Sequence, residues 1–126
     1  MPCLRALSLR GNDERQTNVR VWLLMSFAEY EIKTIQWGEA RGIVQNSTPA
    51  AQAIKTQEEL DELIDAIRNN DRAAMADAYG DLLVTLVMGC ACADLDLVSC
   101  FEGAYNEIKD RKGYLNKDGI FVKETT

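Results

Sequence analysis

Two clusters of acidic residues stand out because their spacing could place several carboxylates on one face of a helix. The first cluster contains Glu58, Glu59 and Glu62, and the second contains Asp77 and Asp81. Residues three or four positions apart share a helical face, because each residue turns the helix by about 100°. Carboxylates that converge between helices are ligands for Mg²⁺ or Mn²⁺. The two clusters therefore indicate a divalent-metal site.

The hydrophobic pattern separates acidic residues that border the core from those that face solvent. Glu59 and Glu62 border the predicted core face of their helix, whereas Glu58 points further toward solvent, as surface acids ordinarily do. The predicted core face is made of apolar residues at helical spacing: Leu60, Leu63, Ile64 and Ile67. The pattern thus favours Glu59 and Glu62 over Glu58 as groups with a chemical role.

Asp81 belongs to a stretch that is apolar on almost every helical face. A buried carboxylate without a partner is costly, so it needs a cation or hydrogen-bond donors. We therefore interpret Asp81 as a metal ligand, with a buried salt bridge or a helix cap as the alternative. Asp77 shares a helical face with Asp81. For Asp77, a role as metal ligand and an ordinary surface position are about equally supported.

The composition excludes several kinds of chemistry. The 126 residues include no histidine, which excludes catalytic triads with histidine, Cys-His nucleophiles and histidine-ligated zinc. The formal net charge is −6, and such an acidic surface disfavours a nucleic-acid polymer as partner. The four cysteines form no CxxC pair and suit a reducing cytoplasm, and no signal peptide or apolar stretch long enough for a membrane is evident.

Four amphipathic segments must position the acidic residues. We predict helices from about Arg20 or Ser26 to Arg41, from Pro49 to Asn69, from Arg72 to Ala93 and from Leu97 to Lys112. Thr48, Asp71 and Asp96 are the predicted N-caps, and Gly42 ends the first helix. The short loops predict an all-α protein, an antiparallel four-helix bundle, followed by a short hairpin around Asp118 and Gly119.

The chain divides into a short extension and one domain. Residues 1–24 lack a clean period and are predicted to be a poorly ordered N-terminal extension, with Met25 as a candidate biological start. Residues 25–126 form the predicted domain. The third helix is so apolar for a small protein that we expect one of its faces to pack on another subunit.

Several cations lie at helical spacing from these acids. Lys55 is one turn before Glu59 and could reach a phosphate. Asn106 and Lys109 share a stripe on the fourth helix, and Lys112 follows at its end. Cations at a helix C-terminus also complement the helix dipole, which is the alternative role for Lys112.

The ordered set of segments resembles the MazG-like, all-α nucleoside triphosphate pyrophosphohydrolases. The family's EExxE element is similar to Glu58–Glu62 within KTQEELDEL, and its second acidic element is similar to DAYGDLLVTL. The resemblance extends over about residues 27–124 and includes ARGIVQNSTPAAQAIK, AYNEIKDRKG and the hairpin DGIFVKE, which is similar to the end of phage and bacterial members. One position departs from the family: Ala78 stands where a glutamate usually precedes the final aspartate, and Asp77 could supply that carboxylate.

The resemblance implies roles for individual residues. Glu59, Glu62 and Asp81 would be ligands of Mg²⁺, with Mn²⁺ as an alternative, and Glu58 and Asp77 would be further ligands or would support them. Glu59 or Glu62 would orient or deprotonate the attacking water. Other residues would meet the triphosphate or sugar: Lys55, Asn106, Lys109 and Lys112. Trp37 and the connector Ile43–Asn46 are candidates for the base pocket, although Trp37 as plain core is equally supported.

The implied reaction converts a nucleoside triphosphate, with deoxynucleotides preferred, and water to a monophosphate and pyrophosphate, in nucleotide-pool control or house-cleaning. The implied assembly is a homodimer or homotetramer without membrane association. The expected location is the cytoplasm, or the host cytoplasm if a phage encodes the protein. The alternative hypothesis is a non-catalytic helical module that senses nucleotides or binds another protein. Ala78 motivates this alternative.

Overall fold

The computed structural model describes residues 26–125, which form five helices and one small sheet. The predicted extension over residues 1–24 and the candidate start at Met25 lie outside these residues. In chain order the elements are α1 (Phe27–Ala40), α2 (Ile43–Asn46), α3 (Pro49–Arg68), α4 (Arg72–Cys92), α5 (Leu97–Ile108), β1 (Gly113–Leu115) and β2 (Phe121–Lys123). The described part of the chain is therefore mostly helical, as its periodicity predicts.

The four long helices begin in the same way. In each, the side chain of a polar residue accepts a hydrogen bond from the backbone N–H three residues later, which satisfies a donor that the helix itself cannot. The capping residues are Ser26, Thr48, Asp71 and Asp96. At Asp96 the hydrogen bond from the Ser99 backbone N–H lowers the pKa of the carboxyl below its usual range.

Two boundaries differ from the prediction. The connector after Gly42, which itself has φ 73°, contains the short helix α2. The helix predicted to reach Lys112 ends at Ile108. The Lys112 carbonyl instead accepts a hydrogen bond from the Glu124 N–H at 2.9 Å. The chain leaves the helix before Lys112 because it must extend to pair β1 with β2.

β1 and β2 are antiparallel, and Tyr114 pairs with Val122. Asn116 orders the turn between them, since its Oδ1 accepts hydrogen bonds from the N–H groups of Asp118 and Ile120 at 2.9 and 3.0 Å. Gly119 has φ 78°, a conformation that a glycine adopts without strain.

α4 is the central helix and packs against α1, α2, α3 and α5, most extensively against α3. The core between these helices contains mainly small and medium apolar residues: Leu63, Ala66, Ala78, Val87 and Met88. Gly38 is buried where α1 crosses α4, beside Met88. Thr56 on α3 donates a hydrogen bond to the hydroxyl of buried Thr85 on α4 at 2.8 Å.

The face of α3 that packs on α4 is not the predicted core face. Of the predicted stripe, Leu63 is buried, but Leu60, Ile64 and Ile67 are 45%, 37% and 51% exposed. Glu59 and Ala66 are buried with Leu63 instead. The prediction was wrong here because the periodic pattern marks apolar residues without showing which helix, or which chain, covers them.

α4 also leaves much apolar surface uncovered. It spans 21 residues with a mean hydropathy of 1.3, which is long and apolar enough to cross a membrane by length and composition alone. This finding differs from the expectation that no such stretch exists. Asp77 and Asp81 interrupt its apolar sequence, and the helix packs against four neighbouring helices.

Glu31 joins α1 to the start of α5. It is buried, and its two carboxylate oxygens accept hydrogen bonds from the backbone N–H groups of Leu97 and Val98. These groups belong to the first turn of α5, where the helix has unsatisfied donors and positive dipole charge. The sequence pattern did not identify this residue, because its partners lie more than sixty positions away.

We expect Glu31→Gln to lower the free energy of unfolding by about 1–2 kcal/mol, because the amide carries no charge and presents donors to other donors. Urea denaturation followed by circular dichroism would measure the change. Glu39→Gln is the matched control, since Glu39 is exposed on the same helix, away from its first turn, and should change stability by less than about 0.5 kcal/mol. Equal effects of the two substitutions would contradict the capping role.

Candidate functional site

Three carboxylates from two helices converge between α3 and α4. Glu59 and Glu62 come from α3 and Asp81 from α4, and one oxygen of each lies within 4.8 Å of the others. The turn at Asn69–Asp71 folds α4 back along α3, which brings these distant positions side by side. The three residues therefore form one cluster, but Asp81 is exposed, so the prediction that it is buried was wrong: the apolar residues around it in the sequence do not cover it in the folded chain.

Glu59 is the buried member of this cluster. The residue is 8% exposed, and no donor in the described part of the chain reaches its Oε2 atom. Its Oε1 atom lies 3.6 Å from Lys55 Nζ. A buried carboxylate oxygen without a partner is costly. Oε2 thus has no hydrogen-bond donor among the described residues. A metal ion bound at this atom would stabilise its negative charge.

Glu62 is exposed at the solvent edge of the cluster. The carboxylate of Glu59 raises the pKa of Glu62 above its ordinary value of 4.5, because it accepts a hydrogen bond from protonated Glu62 and repels the ionised form. Lys55 opposes the shift and Asp81 adds to it. The three carboxylates are therefore mutually repulsive when no cation lies between them.

This repulsion predicts that Glu62→Gln stabilises the metal-free protein at neutral pH. The raised pKa in the folded state means that ionised Glu62 opposes folding above its pKa, whereas below 4.5 the group is protonated in both the folded and unfolded states. The gain in Tm should therefore be present at neutral pH and vanish as the pH falls well below 4.5. Thermal unfolding in EDTA at several pH values would measure it; a gain that does not depend on pH would contradict the prediction.

Lys55 places a positive charge beside the acidic cluster. Its Nζ lies 3.0 Å from Glu58 Oε2 as well as 3.6 Å from Glu59 Oε1. The hydrogen bond to Glu58 and the charges of Glu58 and Glu59 raise the pKa of Lys55, so the amine stays protonated. An exposed pair of this kind is weak, so Glu58 holds Lys55 only loosely.

A cleft of about 750 Å³ leads away from Glu59 and Asp81. Residues from α1, α2, α3 and α4 line it, and Lys55, Trp37 and Asn46 are among them. Beyond the carboxylates its walls are mainly apolar and include Val84 and Met88. A second cleft of about 420 Å³ shares Trp37, Asp81 and Val84 with it. The cluster therefore lies where two open clefts meet.

The other predicted site residues lie apart from the carboxylate cluster. Glu58 pairs with Lys55, and Asp77 is exposed one turn before Asp81. Trp37 is 41% exposed and lines both clefts, so it is not plain core. Three predicted residues in or just after α5 are exposed and line neither of these clefts: Asn106, Lys109 and Lys112.

Arg41 is a residue of the cleft that sequence reasoning did not select. Its guanidinium lies over the Trp37 ring at 4.7 Å from the centroid, and both residues line the larger cleft. The sequence could have indicated this pair, because Trp37 and Arg41 are four positions apart near the end of a predicted helix. Residues at that spacing lie on the same face. Gln52 and Thr85 were missed as well, because polar residues within a helix have no distinctive pattern.

Comparison with known proteins gives two matches. Residues 47–115, more than half of the chain, match the family model described as the MazG nucleotide pyrophosphohydrolase domain. A stretch of 58 residues is 41% identical to an uncharacterized 18.2 kDa protein in the rep-hol intergenic region of Haemophilus phage HP1. That stretch covers 45% of this chain and 36% of the phage protein. No solved structure matches significantly.

Proposed function

Because this chain belongs to the MazG nucleotide pyrophosphohydrolase domain family, we propose that it hydrolyses nucleoside triphosphates to monophosphates and pyrophosphate with Mg²⁺. The observation that carries this proposal is the buried Oε2 atom of Glu59, which lacks a partner among the described residues and lies beside Glu62 and Asp81. The adjoining cleft is large enough for a nucleotide. Deoxynucleotides are the preferred substrate class, in nucleotide-pool control or house-cleaning.

The residues present fit a hard divalent cation. Glu59, Glu62 and Asp81 would hold it, since three carboxylates without nitrogen or sulfur ligands suit Mg²⁺ and also Mn²⁺. When bound, the metal neutralises the phosphates and makes a bound water more acidic. Glu58 and Asp77 lie outside the cluster and would serve as supporting acids. Ala78 removes one carboxylate that the family pattern contains, so this chain has fewer acidic ligands.

Residues of this chain would position the substrate phosphates and the attacking water. Lys55 Nζ, beside Glu59, would contact a phosphate oxygen and stabilise the negative charge that develops during cleavage. Glu62 lies at the solvent edge, where its carboxylate would orient the attacking water and accept its proton. Attack in line on the α-phosphorus then releases pyrophosphate without a covalent enzyme intermediate. The apolar part of the cleft would hold the nucleoside.

Turnover of a substrate panel tests the proposal. Purified protein would be incubated with each ribo- and deoxynucleoside triphosphate and Mg²⁺, Mn²⁺ or EDTA, and the products would be separated by ion-exchange chromatography. We expect monophosphate and pyrophosphate in equal amounts, and none in EDTA. Release of single phosphate instead would contradict cleavage between the α- and β-phosphates. Tight nucleotide binding without turnover would favour the non-catalytic module, which buried Ala78 supports.

We also propose that the chain forms a homodimer or homotetramer. The argument is the apolar surface that one chain leaves open along α3, α4 and α5, where no residue of α5 is buried. Leu60, Leu83 and Phe101 are exposed at 45%, 41% and 62%. Large apolar side chains left exposed on several helices are typical of a protein interface. Asn106, Lys109 and Lys112 would then meet substrate in the site of a neighbouring subunit.

Analytical ultracentrifugation would test the assembly. We expect the wild-type protein to sediment as a dimer or tetramer, and Leu83→Glu to shift it toward the monomer because a charge would lie in the interface. Asp110→Lys, which changes an exposed residue beyond α5, is the control and should leave the mass unchanged. A wild-type monomer at micromolar concentration would contradict the proposal. We place the protein in the cytoplasm, without a nucleic-acid or membrane partner.

A further inference from the structure

Arg41 is held in a fixed position on the wall of the larger cleft. Its guanidinium carbon lies 4.7 Å from the centroid of the Trp37 ring, and Nη1 donates a hydrogen bond to the Trp37 carbonyl at 3.2 Å. Within residues 26–125, none of the ion pairs involves Arg41. The charge is therefore supported by an aromatic face and a carbonyl, and is available to a ligand.

Arg41 offers a ligand both its remaining N–H groups and the flat side that is turned away from Trp37. A guanidinium binds phosphate through its N–H edges, often by two parallel hydrogen bonds. Here one edge is already engaged by the Trp37 carbonyl, and one flat side packs on the indole. The cleft that Arg41 lines has apolar walls at Ile43, Val84 and Met88 beside polar side chains such as Ser47 and Gln52. A planar, weakly hydrated group in such surroundings suits a planar heteroaromatic ligand.

We infer that Arg41, supported by Trp37, stacks on the base of the bound nucleotide and makes the site selective for nucleotides over inorganic polyphosphates. The inference rests on the proposed function, in which Glu59 and Asp81, in the same cleft, receive the triphosphate. Guanidinium stacking on a π system gains from both charge and contact area. Holding the side chain in place before binding reduces the conformational entropy lost when the base arrives.

Binding measurements separate the base from the phosphates. The probes are an α,β-methylene deoxynucleoside triphosphate, which resists hydrolysis, and inorganic triphosphate, each with Mg²⁺. Trp22 and Trp37 are the two tryptophans of the chain, so a Trp22→Phe background lets fluorescence report on Trp37 alone. We expect the nucleotide analogue to quench Trp37 and inorganic triphosphate to leave it nearly unchanged. We expect Arg41→Lys to weaken binding of the analogue about tenfold and to leave calorimetric binding of triphosphate within about twofold.

Arg68→Lys is the matched control, because Arg68 is an exposed arginine outside the clefts described above and should leave both affinities unchanged. Equal weakening of the analogue and triphosphate by Arg41→Lys would make Arg41 a phosphate ligand and overturn the inference. Unchanged binding of both probes would overturn it as well. The proposed function is judged separately by wild-type turnover: if the protein binds the analogue but releases no pyrophosphate, that function fails while the stacking result still stands.

Discussion

Glu59→Gln is expected to reduce Mg²⁺-dependent pyrophosphate release by about 10²–10³-fold, and Asp81→Asn by a similar factor. Each substitution preserves the shape of the side chain but removes the negative charge that a divalent cation requires. The effect should be largest at Glu59, whose buried Oε2 atom has no other partner within the described residues. Steady-state assays with the best substrate of the panel would measure kcat and KM for each variant.

Asp61→Asn is the matched control for this loss. Asp61 lies between Glu59 and Glu62 on α3 but is exposed and outside the acidic cluster. Its substitution should leave kcat/KM within about twofold. Circular dichroism should show that Glu59→Gln remains folded, since the amide keeps the shape of the side chain and removes a buried charge that is repelled by Glu62 and Asp81. Full activity of both Glu59→Gln and Asp81→Asn would refute the proposed metal site.

Gly38→Ala is expected to lower the free energy of unfolding by about 1–3 kcal/mol, because the added methyl group overpacks the contact between α1 and α4. An ideal Cβ at this position would lie 2.8 Å from Met88 Cε, closer still to Met88 Sδ, and 3.3 Å from Val44 Cγ2. Met88 is 2% exposed, so its flexible end can relieve this overlap only by shifting toward the cleft that it lines. Urea denaturation would measure the change.

Gly103→Ala supplies a control with the same change in chemistry. Gly103 lies within α5, and a Cβ there would meet no atom of the described chain within 4 Å. Alanine in an open helical position should therefore stabilise the protein by up to about 1 kcal/mol. Opposite signs at the two glycines are the expected result. A stable Gly38→Ala protein would show that Met88 can rearrange, in which case the shape of the cleft that Met88 lines should also change.

The starts of the helices could be predicted from the sequence, because the residues that determine them lie within a few positions of one another. Thr48, Asp71 and Asp96 cap the helices that their residue types predict, and the starts of α3, α4 and α5 agree with the sequence. The cluster of Glu59, Glu62 and Asp81 could be found because helical spacing is a local property, but the expected burial of Asp81 was wrong, since α4 leaves that side of Asp81 exposed.

The remaining features depend on contacts that no local pattern records. The spacing of Leu60, Ile64 and Ile67 marks an apolar face, but whether α4 or another chain covers it is a matter of tertiary and quaternary packing. Glu31 is an ordinary acid in the sequence and becomes a cap only because α5 begins beside it. Arg41 lines a cleft only because residues of α2, α3 and α4 form its other walls.

The proposed pairing of two chains over the apolar surface of α4 would make the stability of this protein depend on its concentration. Only 22% of the apolar window of α4 is buried within a single chain. With a second copy as the proposed cover, dilution separates the subunits and returns that surface to water, so the midpoint of thermal unfolding should rise with protein concentration by mass action. A newly synthesised chain would be exposed to non-native association until it meets its partner. The rate of synthesis would thus influence how much of the protein reaches its native assembly.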